Sequence, residues 1–333
     1  MVGAGAIGAS VGGWIAAHYD NIYFYDCGPV AEVMKSKGIA LYQGDAKDRK
    51  EIVKVKVIDD LNQAKDADVV AIAVKNFHLD AAAKAVHDQL GDKPIIVSLS
   101  NGLENQRILP RYFSKVVYCV ISYNGWRDDA ELVGYNKKGP LILGTLKNEL
   151  MPEMQEISRI FNLGVETMIS DHIQDAIHCK VVINLANSTT TLTGFRFREI
   201  EDWKILQKLL TNQLLEGVEV IRAAGFKECR LGGMPPWKLI WLGAKAPFIS
   251  RSTFRKNLSR TNLTSMGQDV LQRKSTETEL ESLNGYIVAL AEKHHVKIPY
   301  NKTIYELCKK EFAKPDFKPW TETRVWEQVK KAL

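Results

Sequence analysis

Cysteine is sparse in this sequence and carries no pattern. The five thiols, Cys27, Cys119, Cys179, Cys229 and Cys308, are odd in number and widely spaced, and no two form a C-x-x-C pair. A disulfide framework and a zinc site are therefore unsupported, no metal is expected, and reduced thiols in a cytosolic protein are the plain reading. Long apolar runs are missing too. The longest, such as residues 69–74 and 181–186, have the length of buried strands or helix faces. A membrane span needs roughly 18 apolar residues, so no membrane partner is expected. The N-terminus has no charged region followed by a long apolar stretch, which gives no sign of a secretory leader and leaves a cytoplasmic location as the expectation. Basic residues are scattered, with small clusters at Lys137-Lys138, Lys309-Lys310 and Lys330-Lys331. The concentrated basic patch of a nucleic-acid binder is not read, so no nucleic-acid partner is expected either.

What is present fits a soluble globular protein. The chain has 333 residues, 45% hydrophobic and 25% charged, with a net charge of +6. That length buries a core without metal or disulfide staples and suggests one large domain or two ordinary ones. Strand-like segments at 22–26, 52–58, 69–74, 94–100 and 115–122 alternate with helical ones at 30–37 and 76–89, the pattern of a parallel α/β sheet. Segments 131–135 and 140–144 read as an antiparallel pair. After about residue 170 the periodicity is helical, with long helices expected at 171–191, 199–224 and 277–294. Residues 313–333 read as a C-terminal appendage that docks on the body.

Near the start, Gly3-x-Gly5-x-x-Gly8 has the spacing of a dinucleotide-binding turn. The first glycine permits the tight strand-to-helix turn, the second lets backbone approach a pyrophosphate, and the third lets the helix pack on its strand. The helix N-terminus then offers free N–H groups, those of Ala6, Ile7 and Gly8, to the phosphate. Asp26 ends the next strand, 23 residues after Gly3. A carboxylate there accepts from a ribose 2′-OH and repels a 2′-phosphate, which favours NAD(H) over NADP(H); alternatively it caps the following helix. The fold expected is therefore a Rossmann-type parallel-sheet domain over 1–170, then an all-helical domain over 171–312. A first strand of about five residues is usual in such a sheet. Only Met1-Val2 precede Gly3, so most of that strand is read as absent, through a trimmed start.

In the helical part, Lys180, Asn184 and Asn187/Ser188 fall at i, i+4 and i+7/i+8, on one helix face. The residues between them are apolar. The polar group then either reaches a partner or wet cleft, because burying it unpaired is costly, or forms a solvent-facing stripe. Further on, Ser265-Met266-Gly267-Gln268-Asp269 runs into Lys274-Ser275-Thr276-Glu277. This places a hydroxyl and a carboxylate together, or marks a helix start.

Taken in order, Gly3–Gly8, Val74-Lys75, Ser100-Asn101-Gly102, Lys180-x-x-x-Asn184, Thr191-Leu192-Thr193-Gly194, Ser265-Met266-x-x-Asp269, Thr276-Glu277, Asn284-Gly285 and Ile298-Pro299-Tyr300-Asn301 resemble the ketopantoate reductase family over about residues 1–312. The resemblance implies an active site in a cleft between the two domains. It implies hydride transfer from NADPH to the ketone of a small anionic 2-oxo acid. It makes Lys180 the general acid, Asn101 the group that positions substrate and nicotinamide ribose, and Lys75 a neighbour of the cofactor. Asn184 and Ser265 become substrate contacts, Glu277 the acid that orders the lysine region, and Asp269 a structural brace.

The sequence departs from the family pattern in three places. Ser188 stands near where a second substrate-binding asparagine is common, with Asn187 one place earlier. The loop Phe195-Arg196-Phe197-Arg198 replaces an Asn-containing one and puts Arg198 either on a substrate carboxylate or at the surface. The Asp26-Cys27 strand end replaces a basic residue, which shifts the expected cofactor from NADP(H) toward NAD(H). The alternative functions are a reductase of the same fold acting on another oxo acid or an opine-type substrate, and a nucleotide-sensing binding protein. A monomer or a homodimer is expected.

Overall fold

Short runs of β-branched and aromatic residues build the strands of the N-terminal half, and glycines and prolines separate them. The computed structural model describes residues 1–149, 151–258 and 261–333. They form two compact units, Met1–Ile173 and Gln174–Leu333. In chain order the first unit comprises α1 (Ala6–Ala16), β1 (Tyr23–Tyr25), α2 (Pro29–Lys37), β2 (Ile39–Gln43), β3 (Glu51–Val53), β4 (Lys56–Ile58), β5 (Val69–Ile72) and α3 (Asn76–Leu90). It continues through β6 (Ile95–Ser98), α4 (Glu104–Ile108), β7 (Val116–Ile121), β8 (Gly125–Arg127), β9 (Leu132–Tyr135), β10 (Leu141–Gly144), α5 (Pro152–Gly164) and β11 (Thr167–Ile169).

Strands β5, β6 and β7 are parallel neighbours; β10 joins antiparallel to β7, and β11 parallel to β10. Strands β1 and β4 form a separate parallel pair. Val2 connects the two groups, bridging Tyr25 on one side and Ile72 on the other. Its N–H donates to the Ala71 carbonyl (2.8 Å), its carbonyl accepts from Ala73 N–H (2.8 Å), and Met1 O accepts from Tyr25 N–H (2.8 Å). Successive residues of a strand face opposite sides of a sheet. Accordingly Ile95 and Val97 of β6 join a core with Trp14, Phe24 and Phe161, while Ile96 joins another with Leu61, Leu79 and Phe113. Both faces are covered, as the parallel reading requires.

Two expectations for this unit change. Segment 52–58 is not one strand: β3 pairs antiparallel with β2, whereas β4 pairs with β1. The apolar alternation runs on through Lys54-Val55, but there the chain passes from one sheet to the other. Segments 131–135 and 140–144 do not pair with each other. Strand β9 joins β2 (parallel) and β8 (antiparallel) in a four-stranded sheet ordered β3-β2-β9-β8, while β10 belongs with β7. Gly139, at φ +70°, turns the chain between the sheets, and a Cβ there would lie 2.7 Å from Val165 Cγ2.

The second unit is helical: α6 (Ile173–Asn184), α7 (Ala186–Leu192), α8 (Trp203–Ala223), α9 (Trp237–Lys245), α10 (Pro247–Leu258), α11 (Ser265–Gly267), α12 (Tyr286–Lys293), α13 (Pro299–Phe312) and α14 (Glu322–Ala332). The helix expected over 171–191 breaks at Leu185. The Leu185 N–H is shared between the Val181 and Val182 carbonyls (3.1 and 3.2 Å). Beyond it, Ser188 and Thr190 hydroxyls bond back to the Leu185 and Ala186 carbonyls (2.8 Å each), a pattern that bends helices. Helix α8 starts late because Asp202 caps it, accepting from Lys204 and Ile205 N–H. The stretch expected as one helix over 277–294 opens with a π-turn over Glu281–Gly285 before α12. Residues 313–333 belong to the core of this unit: Val325 and Val329 of α14 pack with Leu209, Leu271, Ile304 and Cys308. Among the described residues no helix is long and apolar enough to cross a membrane.

Candidate functional site

The glycine turn has the form its spacing predicts. Gly3 sits at φ +86°, and a Cβ there would lie 2.7 Å from Val74 Cγ1. A Cβ on Gly8 would lie 2.0 Å from the Gly3 carbonyl oxygen and 2.9 Å from Ala73 Cβ, so only glycine lets α1 approach this closely. Gly5 is different. It is exposed, and the nearest atom to a built Cβ is Ala73 O at 4.0 Å. Gly5 is the N-cap of α1, with no side chain capping the helix and no acid in its first turn. The first-turn N–H groups, including those of Ala6 and Ile7, therefore lie behind open space, in a geometry that suits a phosphate. These residues fit a dinucleotide pyrophosphate.

Asp26 does not cap α2, whose N-cap is Gly28 without a side-chain bond. Its carboxylate instead closes on the turn, accepting from Ala4 N–H (2.5 Å) and Cys27 N–H (2.7 Å). It remains half-buried, beside the glycines. Lys75 lies in the turn after β5, at the N-cap of α3, and Asn101 in the turn after β6. Asn76 donates to the Asn101 carbonyl (2.8 Å) and Ser100 Oγ to the Val74 carbonyl (3.1 Å), so the two strand-end turns are tied together. Val74 also lies against Gly3. The glycine turn, Asp26, Lys75 and Asn101 thus share the carboxyl edge of the sheet, at the point where the strand order reverses about Val2; open α/β sheets bind ligands there.

In the second unit, two hydrogen bonds fix the helix pair that carries Lys180. His178 Nε2 lies 2.7 Å from Tyr286 Oη, and Asn284 Nδ2 donates to Ser188 Oγ (3.0 Å). Lys180 and Asn184 lie on α6 between these anchors, half-buried and buried respectively. The His178 ring stacks on Phe226 at 3.4 Å, and burial pushes its pKa down to about 4. The ring is therefore neutral at pH 7. With Nδ1–H given to the Gln174 carbonyl (2.7 Å), Nε2 accepts from the Tyr286 hydroxyl. Elsewhere in this core, Glu216 accepts from Tyr300 N–H (2.9 Å), Asn301 N–H (2.8 Å) and Asn301 Nδ2 (3.0 Å) at the start of α13. Burial outweighs those donors and raises its carboxyl to about 7.

Several expected site residues take other places. Ser188, expected to contact substrate, is fully buried. Its hydroxyl donates to Leu185 O and accepts from Gln213 Nε2 (3.0 Å) and Asn284 Nδ2, so it braces the core. Arg198, expected on a substrate carboxylate or at the surface, pairs with the fully buried Glu322 (2.6 Å) and donates to the Trp320 carbonyl (2.9 Å). It ties the C-terminal segment to the unit. Glu277 is exposed, whereas Glu279, two residues on, is only 7% exposed. Glu279 escaped the sequence reading because Thr278-Glu279 repeats Thr276-Glu277; the signal that separates them is proximity to the buried Asn284. Ser265 opens α11 half-buried, behind the Thr264 cap. The Asp269 carboxylate pairs with Arg273 (2.7 Å), and its backbone carbonyl accepts from Ser275 N–H (2.9 Å).

The sequence profile described as ketopantoate reductase PanE/ApbA matches residues 1–148, and its C-terminal counterpart matches residues 172–311. A 2-dehydropantoate 2-reductase of Archaeoglobus fulgidus is 25% identical over 313 residues, 93% of this chain and 96% of that protein. That of Halobacterium salinarum is 24% identical over 314 residues, 92% and 96%. Among solved structures, a PanE/ApbA family ketopantoate reductase from Ralstonia eutropha superposes with TM-score 0.73 at 23% identity, covering 95% of this chain and 99% of that one. A ternary complex of D-mandelate dehydrogenase with NADH and anilino(oxo)acetate superposes with TM-score 0.75 at 16% identity, covering 96% and 100%. These two likenesses establish the fold.

Proposed function

Because the chain belongs to the ketopantoate reductase family, we propose that it reduces a 2-oxo acid to the 2-hydroxy acid with a nicotinamide cofactor, ketopantoate being the first substrate to test. The observation that carries this reading is the turn at Gly3–Gly8, closed to side chains at both ends and open in front of Gly5. A reduced nicotinamide, when bound, supplies the hydride that adds to the ketone carbon. The α1 N-terminus holds the pyrophosphate, and Asn101 and Lys75 orient the reacting end at the sheet edge. As the carbonyl oxygen gains charge, the Lys180 ammonium stabilises it and gives it a proton, leaving the 2-hydroxy acid. Asn184 and Ser265 hold the substrate. Glu279, rather than the exposed Glu277, orders the region around Lys180. Asp26 supports NADH over NADPH, since a second anion beside a 2′-phosphate is repelled.

Initial rates of NADH and NADPH oxidation with ketopantoate test this. Turnover on the order of 1–10³ s⁻¹ is expected, faster with NADH, and Lys180→Ala should lower it by roughly 10²–10⁴. An active wild type matched by Lys180→Ala refutes the general-acid role. The likeness to D-mandelate dehydrogenase makes an aryl 2-oxo acid the second substrate for the same assay.

A further inference from the structure

The net charge of the chain sits in one segment. Between Glu228 and Asp269 the sequence has seven Lys or Arg and no carboxylate; removing those seven from 45 leaves 38 cations against 39 acids elsewhere. This segment forms the hairpin of α9 and α10. Helix α9 turns Ile240 and Gly243 inward, Gly243 lying against Thr211 of α8. Its other face carries Lys238, Trp241 and Lys245, at i, i+3 and i+7. No residue of α10 is buried. Large apolar side chains of the hairpin stand in solvent: Trp241 in the middle of α9 is 52% exposed, and Phe248 and Ile249 at the start of α10 are 73% and 60% exposed. Lys238, Lys245 and Arg251 stand exposed among them.

Exposed apolar side chains interleaved with cations alone characterise helices that lie in a lipid–water interface. The helices have 9 and 12 residues, about 14 and 18 Å at 1.5 Å per residue, too short to cross the ~30 Å core of a bilayer. A second copy fits poorly, because a two-fold contact through this face sets cations against cations. Nucleic acid fits less well than lipid, because aliphatic Ile249 and the 58% exposed Leu239 offer no ring for bases to stack on. We propose that the α9–α10 hairpin docks the protein on an anionic lipid surface. Trp241, Phe248 and Ile249 enter the boundary between headgroups and acyl chains, and Lys238, Lys245 and Arg251 meet the headgroup phosphates. The sequence reading expected no membrane partner from the lack of a span; this contact needs none.

Co-sedimentation of the full chain with phosphatidylcholine vesicles, with and without 30 mol% phosphatidylserine, tests the proposal. Binding is expected only with phosphatidylserine and should weaken in 0.5 M salt. Lys238→Ala and Arg251→Ala should each weaken it about fivefold, and Phe248→Ser with Ile249→Ser should abolish it. Unchanged thermal melting of these surface variants shows that they fold. Absence of binding to phosphatidylserine vesicles overturns the proposal. So does equal binding to both vesicle types, or a solution dimer that Phe248→Ser with Ile249→Ser converts to monomer.

Discussion

Two buried ionisable groups of the helical unit should cancel in its pH dependence and be unmasked one at a time. His178 has its pKa lowered from 6.5 to about 4, and Glu216 has its raised from 4.5 to about 7. A lowered histidine contributes stability that is fully present above 6.5 and lost as pH falls toward 4. A raised carboxyl contributes stability that is fully present below 4.5 and lost as pH rises through 7. Each gap corresponds to about 3 kcal/mol. Between pH 4.5 and 6.5 the two slopes have opposite signs, so together they leave stability nearly flat. His178→Asn keeps a donor toward the Gln174 carbonyl but does not titrate. In that variant stability should fall by about 3 kcal/mol from pH 4.5 to 7. In Glu216→Gln it should rise by about 3 kcal/mol from pH 4 to 6.5. Urea unfolding followed by tryptophan fluorescence suits the test, since five of the seven tryptophans lie in this unit. Parallel pH curves for wild type and both variants would refute the reasoning; the absolute cost of either substitution would not bear on it.

The two carboxylates near the π-turn can be separated by comparing Glu279→Gln with Glu277→Gln. The first should lower kcat by at least tenfold with little change in melting temperature, and the second should leave both near wild type; the reverse pattern would restore Glu277. Arg198→Met removes the partner of a buried carboxylate, which typically costs about 3–5 kcal/mol. It should lower the unfolding midpoint with KM for the oxo acid unchanged, and a raised KM with intact stability would return Arg198 to the substrate.

The glycine turn was legible in the sequence because each glycine answers a local backbone requirement: a positive φ at Gly3, an open approach at Gly5 and helix contact at Gly8. The second sheet was not legible. Its central pairing joins β2 to β9 across some ninety residues, and strands of three to five residues carry too little alternation to choose a partner. The resemblance points to Glu277 rather than Glu279 because the Thr-Glu pair occurs twice in succession, and only burial separates the two carboxylates. Ser188 reads as a site residue from its place near a family asparagine, and Arg198 from its charge; only tertiary structure shows Gln213, Asn284 and Glu322 already holding them. The charge of the α9–α10 segment does not appear as a cluster of cations; its signal is forty residues without an acid.

Val2 joins the two groups of strands, and the backbone bonds on either side of it run directly into the glycine turn. Separating β1 from β5 would break those bonds and pull Gly3 away from Val74 in the same motion. Cohesion of the sheet and shape of the phosphate cradle are therefore one equilibrium rather than two. A dinucleotide that binds only the closed turn adds its binding free energy to the seam at Val2. Ligand concentration then acts as a variable of mechanical integrity, setting how often the sheet opens there.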